Sequence, residues 1–199
     1  MIMEKQRGTR GKGVLEPFLA KKRREMAEKL IPDNLRKGRI LDIGSGTTPL
    51  FLMEAEFKEK YGIDPMAKEI QDKNINIVRA DLNIHPALPF QDNFFTVITM
   101  LAVFEHIEPN NLIDILNEIK RVLKPGGRFI LTTPTPWLNV FLKLMAQLNL
   151  VSKEEIKEHK EAYSHKKIGD YLEQSGFLKE KMKFGYFELL LNNWAYADK

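Results

Sequence analysis

The segment Leu41-Asp42-Ile43-Gly44-Ser45-Gly46-Thr47-Thr48-Pro49 constrains this chain more than any other. The apolar run Arg39–Ile43 reads as a buried strand that stops at Gly44-Ser45-Gly46, and a helix is expected from Pro49 to Phe57. In doubly wound sheets such a strand–turn–helix unit places ligands at the carboxyl end of the strand. Gly44 and Gly46 have no Cβ, so the backbone can approach a ligand closely. A purely steric reading competes with this one, because glycines also join strands to helices where nothing binds. Asp64 ends the next short strand, Lys60–Asp64, and stands 20 residues beyond Gly44. A carboxylate there can accept hydrogen bonds from both ribose hydroxyls of an adenosine-type cofactor. The dinucleotide fingerprint also needs glycine at position 49, where Pro49 stands. A sulfonium cofactor has no pyrophosphate to cradle and does not need that glycine. It carries an ammonium group, for which Asp42 supplies a nearby negative charge.

The rest of the chain keeps the same rhythm. A helix is predicted over Glu16–Leu30, a short helix near Pro65, a third strand over Asn76–Ala80 and a fourth, almost wholly apolar, over Phe94–Leu101. Bulk on both faces of that strand suits a covered parallel sheet. Pro109–Leu123 is helical, with Leu112, Ile113, Leu116, Ile119 and Leu123 on one face. Lys124–Gly127 reads as a turn, Arg128–Thr133 as a fifth strand, and Ile168–Gln174 as a helix closed by Gly176. Phe177–Phe184 and Tyr186–Asn192 read as a final antiparallel pair around Gly185. The expected architecture is one α/β domain over 14–199 behind a flexible tail at 1–13, with an apolar helical insertion at about 136–163. Within that insertion, Leu138, Phe141, Leu142, Met145 and Leu148 fall on one helical face, suited to a roof over an acceptor, an in-plane membrane contact or plain core burial.

The 199 residues contain no cysteine, which excludes disulfides and cysteine-based metal sites and is compatible with a cytoplasmic location. No run is long and apolar enough to span a bilayer, and the polar start carries no secretory h-region. The net charge of +4 is uneven: residues 1–39 hold 12 Lys/Arg against 5 Asp/Glu, densest at Lys21–Arg24. That cluster reads either as a solvated helix face or as a patch for an anionic acceptor, RNA or an anionic membrane.

Leu41–Pro49, Gly62-Ile63-Asp64, Ala80-Asp81-Leu82, Phe94–Ile107 and Leu123-Lys124-Pro125-Gly126-Gly127 stand in an order and spacing that resembles the class I S-adenosylmethionine-dependent methyltransferases, in particular their small-molecule branch. The resemblance covers about 36–135. It implies a Rossmann-like, mostly parallel seven-stranded sheet with an antiparallel C-terminal strand and helices on both faces. It implies S-adenosylmethionine as cofactor and S-adenosylhomocysteine as product. Asp42, Gly44, Ser45 and Gly46 would line the methionine end, Asp64 with Pro65 the ribose, and Asp81 with Leu82 the adenine, with Leu101 at the end of the fourth strand. Thr48 and Thr96 depart from the family pattern, which often has glycine and aspartate there.

Phe104-Glu105-His106 follows the fourth strand, beside the expected position of the reactive methyl. His106 is a candidate base for a hydroxyl or amine acceptor, against the alternative that Glu105 and His106 only shape the site. His159, Tyr163 and His165 form a second polar cluster that can border the acceptor pocket in the resemblance, with Tyr163 and His159 as catalytic candidates behind His106, against the alternative that Ser164 caps a helix and the histidines are exposed. No His/Asp/Glu spacing resembles a dedicated metal site. The expected activity is methyl transfer to a small-molecule, glycan or lipid-linked acceptor. The alternatives are an RNA methyltransferase and a non-catalytic partner subunit.

Overall fold

The computed structural model describes residues 16–71, 74–137 and 163–199. Its framework is a single sheet made of β1 (Arg39–Ile43), β2 (Glu59–Asp64), β3 (Ile70–Gln71), β4 (Ile75–Arg79), β5 (Phe95–Leu101), β6 (Leu123–Pro134), β7 (Met182–Phe187) and β8 (Asn192–Asp198). The strand order is β3-β4-β2-β1-β5-β6-β8-β7. The central pairings β4–β2–β1–β5–β6 are parallel, and β3, β8 and β7 join antiparallel. This is the expected Rossmann-like sheet, with a two-residue edge strand as the eighth member.

The period-two alternation of side chains divides the core. Leu41, Ile43, Ile98, Met100, Phe129 and Leu131 face one layer, while Ile40, Val97 and Ile130 face the other. The first layer is completed by α3 (Pro109–Val122) and α4 (His165–Gln174), the second by α1 (Glu16–Leu30) and α2 (Leu50–Glu54). Helix α3 buries Leu112, Ile115, Leu116, Ile119 and Val122 at helical spacing, each worth roughly 1.5–3 kcal/mol against exposure. Ser164 caps α4 as its sequence position suggests, its Oγ accepting from the Lys167 amide at 3.3 Å.

Several boundaries differ from the sequence reading. The helix after the glycine turn spans only Leu50–Glu54. The chain after Pro65 makes a turn and then β3 rather than a helix. Residues Lys124–Gly127 turn as expected but lie inside β6, looped out between the Phe95–Leu123 and Val97–Arg128 pairings. Gly126 takes φ +75° there, and a Cβ on Gly127 would sit 2.9 Å from the Thr96 carbonyl oxygen.

The C-terminal hairpin corrects the sequence reading most. It pairs Met182–Phe187 with Asn192–Asp198, and its turn is not at Gly185. Gly185 lies within β7, where a Cβ would meet the Trp194 indole at 2.4 Å, so the missing side chain seats the tryptophan. The reversal is made by Glu188, Leu189 and Leu190, all left-handed at φ 52°, 55° and 68°. Nothing in a Glu-Leu-Leu run signals that conformation, which Gly and Asn normally supply. The expected insertion at 136–163, including His159, lies outside the described residues except for its ends. Trp137 at one end is exposed and Tyr163 at the other is buried. No helix among the described residues is long and apolar enough to cross a membrane.

Thr96, one of the two departures from the resemblance, anchors the entry to β1. Its Oγ1 lies 2.8 Å from the Leu35 carbonyl oxygen and 3.1 Å from that of Arg39, donating its one proton to this pair. A Cβ on Gly38 would lie 2.3 Å from Thr96 Cγ2. Gly38→Ala should therefore destabilise the fold by about 1–3 kcal/mol through overcrowding. Thr96→Ala in the same chain should recover part of that loss, and a double-mutant cycle by urea unfolding reads the non-additivity.

Candidate functional site

Strand β1 is the topological switch point: the chain leaves it toward β2 on one side, and β5 flanks it on the other. Outside the carboxyl ends of such neighbours a crevice opens. Gly44 and Gly46 turn the chain there at φ +82° and +73°. The Gly44 and Ser45 amides donate to the Ile63 carbonyl at 2.7 and 3.2 Å, tying the turn to β2. The missing Cβ of Gly44 does not make room for a ligand, as the sequence reading supposed. A Cβ there would lie 2.1 Å from Val103 Cγ2, so the glycine lets the chain leaving β5 close over the turn. Val103 is brought in by Ala102, a left-handed residue at φ 55° whose amide donates to the Thr132 carbonyl at 2.9 Å. Holding a non-glycine residue there costs on the order of 1–3 kcal/mol, a cost that concentrates at functional sites.

Asp42 lies on the cleft floor at 5% exposure, accepting from Thr99 Oγ1 at 2.7 Å. Burial pushes its carboxyl up to about 7; the Thr99 hydrogen bond opposes the shift and the nearby Asp64 charge adds to it. A cation arriving beside it would favour its ionised form near neutral pH. Ser45 Oγ is buried without a hydrogen-bond partner in the same turn. Leu101 shares the cleft with Asp42, Gly44, Ser45 and Gly46.

Asp64 ends β2 with both carboxylate oxygens oriented by backbone: Oδ2 accepts from the Gly46 amide at 3.1 Å and Oδ1 from the Met66 amide at 2.7 Å. An ionised carboxylate has about four acceptor positions, so both oxygens retain capacity for ribose hydroxyls. The next residue, Pro65, accepts from Arg79 Nε at 3.1 Å through its carbonyl. Asp81 caps the turn after β4: Oδ1 accepts from the Asn83 amide at 2.9 Å, and its carbonyl from those of Ile84 and His85. Leu82 beside it is buried in the core.

Asn83, which the sequence reading passed over, joins this turn to the segment after β5. Its Nδ2 donates to the His106 carbonyl at 3.1 Å, its Oδ1 accepts from the Glu108 amide at 2.8 Å, and its carbonyl accepts from Asn111 Nδ2 at 2.7 Å. An Asn two residues after an Asp in a turn was the only available signal, and it named no partner. Phe104–His106 forms a single 3-10 turn with Phe104 and Glu105 buried and His106 partly exposed. Tyr163 lies beneath that turn, fully buried, its ring edge-on to Phe104 at 4.7 Å and its carbonyl accepting from Asn193 Nδ2. The structure therefore brings Asp42, the glycine turn and Leu101 into one cleft, with Asp64 bonded to that turn. It ties Asp81 to the His106 turn through Asn83 and sets Tyr163 in the core below.

These features are those of a methyltransferase domain. A family profile described as "Methyltransferase domain" matches residues 15–181, and the chain belongs to that family. Among curated relatives, a ubiquinone/menaquinone biosynthesis C-methyltransferase of Azotobacter vinelandii is 34% identical over 48% of this chain and 42% of its own length. A sterol 4-C-methyltransferase of Caenorhabditis elegans is 34% identical over 58% of this chain and 36% of its own length. The matches thus span less than half of each curated relative. In structure, a S-adenosylmethionine-dependent methyltransferase of Thermotoga maritima aligns at TM-score 0.69 with 19% identity, over 94% of this chain and 91% of that one. One of Archaeoglobus fulgidus aligns at 0.64 with 17% identity, over 94% and 100%. At that identity the structural likeness concerns the fold.

The raised Asp42 carboxyl has a consequence for stability. Between its ordinary value of 3.8 and about 7, the folded chain holds a proton that the unfolded chain releases. Stability from this group therefore falls as pH rises through that window and stays low above it, by an amount on the order of 4 kcal/mol. Asp42→Asn, with no ligand added, should melt several degrees above wild type at pH 8 and close to it at pH 4. Thermal unfolding at the two pH values measures the difference.

Proposed function

We propose that this chain is a S-adenosylmethionine-dependent methyltransferase acting on a small-molecule or lipid-linked acceptor. The observation that carries this reading is the succession of Asp42, the Gly44–Gly46 turn, Asp64 and Asp81 along one edge of the sheet, beside the His106 turn. S-adenosylmethionine supplies a methyl group already activated on a sulfonium sulfur. Asp42 would face its ammonium group, Asp64 would accept from the ribose hydroxyls, and Asp81 with Leu82 would border the adenine. Because the donor is activated, alignment of the acceptor can supply much of the acceleration.

His106 is the candidate to take a proton at its imidazole from a hydroxyl, amine or carbon acid. Asn83 fixes the backbone of this turn, and Phe104 packed on Tyr163 fixes its base. The ubiquinone/menaquinone and sterol C-methyltransferases among the relatives favour an apolar acceptor, so phenolic and sterol-like lipids are the first to screen.

Calorimetry with S-adenosylmethionine and NAD tests the cofactor. S-adenosylmethionine should bind in the micromolar range and NAD far more weakly, since Pro49 blocks the dinucleotide pattern. Equal affinities would refute the reading. Asp64→Ala should weaken S-adenosylmethionine binding by about 1–3 kcal/mol through loss of a charged acceptor. With the acceptor found by following S-adenosylhomocysteine release across a metabolite and lipid panel, His106→Ala should lower kcat by roughly 10²–10⁴-fold and leave cofactor affinity near wild type. An unchanged kcat would leave His106 with a shaping role only.

A further inference from the structure

Two leucines at the tip of the β7–β8 hairpin stand in water under strain. Leu189 is 93% exposed and Leu190 61%. Both, with Glu188, are held in the left-handed region that non-glycine residues enter only at a cost. Such strain persists where the surroundings enforce it, and it concentrates at functional places. Here Thr135 enforces it. Its amide donates to the Leu191 carbonyl at 2.9 Å, and its Oγ1 lies 3.0 Å from the carbonyl oxygens of both Leu190 and Leu191. The tip is thereby pinned to the end of β6, at the carboxyl edge of the sheet. Trp137, two residues beyond Thr135, is 71% exposed. The Glu188 carboxylate is drawn back to Asn192 Nδ2, with Oε1 buried. The tip therefore presents apolar side chains and withdraws its one charge.

The other end of the same edge is basic. Helix α1 runs from the cleft, which Ala20 and Arg24 line, to Leu30, whose carbonyl accepts from Arg128 at the start of β6. Its first residues are thus the outermost at the carboxyl edge, and Glu16–Arg24 carries four basic residues against one acidic. Lys21 and Lys22 share the single Glu25, at 3.8 and 2.8 Å, so the three together stay positive. Phe18 is exposed beneath the Lys22 ammonium. In sequence, the stretch before Glu16 adds Lys5, Arg7, Arg10 and Lys12 against Glu4.

We propose that the carboxyl edge docks on an anionic lipid bilayer, with Leu189, Leu190 and Trp137 entering the apolar boundary and the start of α1 lying among the headgroups. Apolar insertion and a basic patch together supply the two signals that stable peripheral attachment needs. Tryptophan suits the boundary between headgroups and acyl chains. RNA would call on the basic end through its phosphates and leave the leucine tip in water. In strand order the His106 turn after β5 falls between the cleft at β1 and the hairpin at β8. Docking then turns the acceptor side toward the bilayer, so that an apolar acceptor enters without crossing water; this consequence rests on the acceptor reading above.

Flotation of the full chain with vesicles of phosphatidylcholine, with and without phosphatidylglycerol, tests the docking. Wild type should bind the anionic vesicles at least about 10-fold more tightly than phosphatidylcholine alone. Leu189→Ser with Leu190→Ser should lower binding to the anionic vesicles about 10- to 100-fold, with melting temperature and S-adenosylmethionine affinity near wild type. Lys21→Glu with Lys22→Glu should weaken binding to the anionic vesicles and leave binding to phosphatidylcholine unchanged. Wild type that stays off the vesicles, or a leucine variant that binds them equally, would overturn the proposal. So would a wild-type dimer in sedimentation equilibrium that the leucine variant dissolves, which gives the tip to a second copy, and so would displacement from the vesicles by RNA. A chain that floats with vesicles yet binds no S-adenosylmethionine would keep the docking and refute the cofactor reading instead.

Discussion

Everything at the carboxyl edge of the sheet depends on how closely the exit of β5 approaches the exit of β1. Val103 occupies the space that a side chain at position 44 would need. Ala102 is held left-handed to bring it there, secured by its amide on Thr132. With that contact made, the glycine turn is clamped between β2, through Ile63, and the start of the His106 turn. The glycine turn and the segment that opens the His106 turn are therefore parts of one packed unit, and a shift in either moves the other.

Burial and polarity are balanced across this unit. Asp42 and Ser45 are withdrawn from solvent, where an uncompensated charge or hydroxyl is costly. Asp42 responds by holding its proton up to about 7, and Thr99 is its one hydrogen-bonding partner on the neighbouring strand. Asp64 and Asp81 are treated differently: backbone amides pin both carboxylate oxygens of Asp64 and one of Asp81, which orients each carboxylate before any ligand arrives. Preorganisation of this kind reduces the entropy lost on binding.

Two joints carry the edge outward. Asn83 links the Asp81 turn to the His106 turn and the start of α3 by three side-chain or backbone hydrogen bonds. Arg128 links β6 and β8 to the end of α1 and stacks its guanidinium 3.7 Å above the Tyr196 ring. The first holds the turn after β4 against the segment that follows β5. The second sets the direction in which α1 leaves the sheet, and hence which of its basic residues meet the cleft.

The sequence by itself determined the class of fold and the chain positions of the cleft, because both are local. Apolar runs of strand length, the paired glycines and a carboxylate one strand later each follow from backbone sterics and residue chemistry within a few positions. Asp42, Gly44 and Gly46, which line the cleft, were legible for that reason. Tertiary structure decided what depends on distant partners: that Gly44 makes way for Val103, that Thr96 stands on the Leu35 and Arg39 carbonyls, that Gly185 seats Trp194 while Glu188–Leu190 make the turn, and that Arg23 faces the cleft. None of these is encoded in spacing along the chain. Each arises where two segments, fixed by their own burial, compete for the same few ångströms.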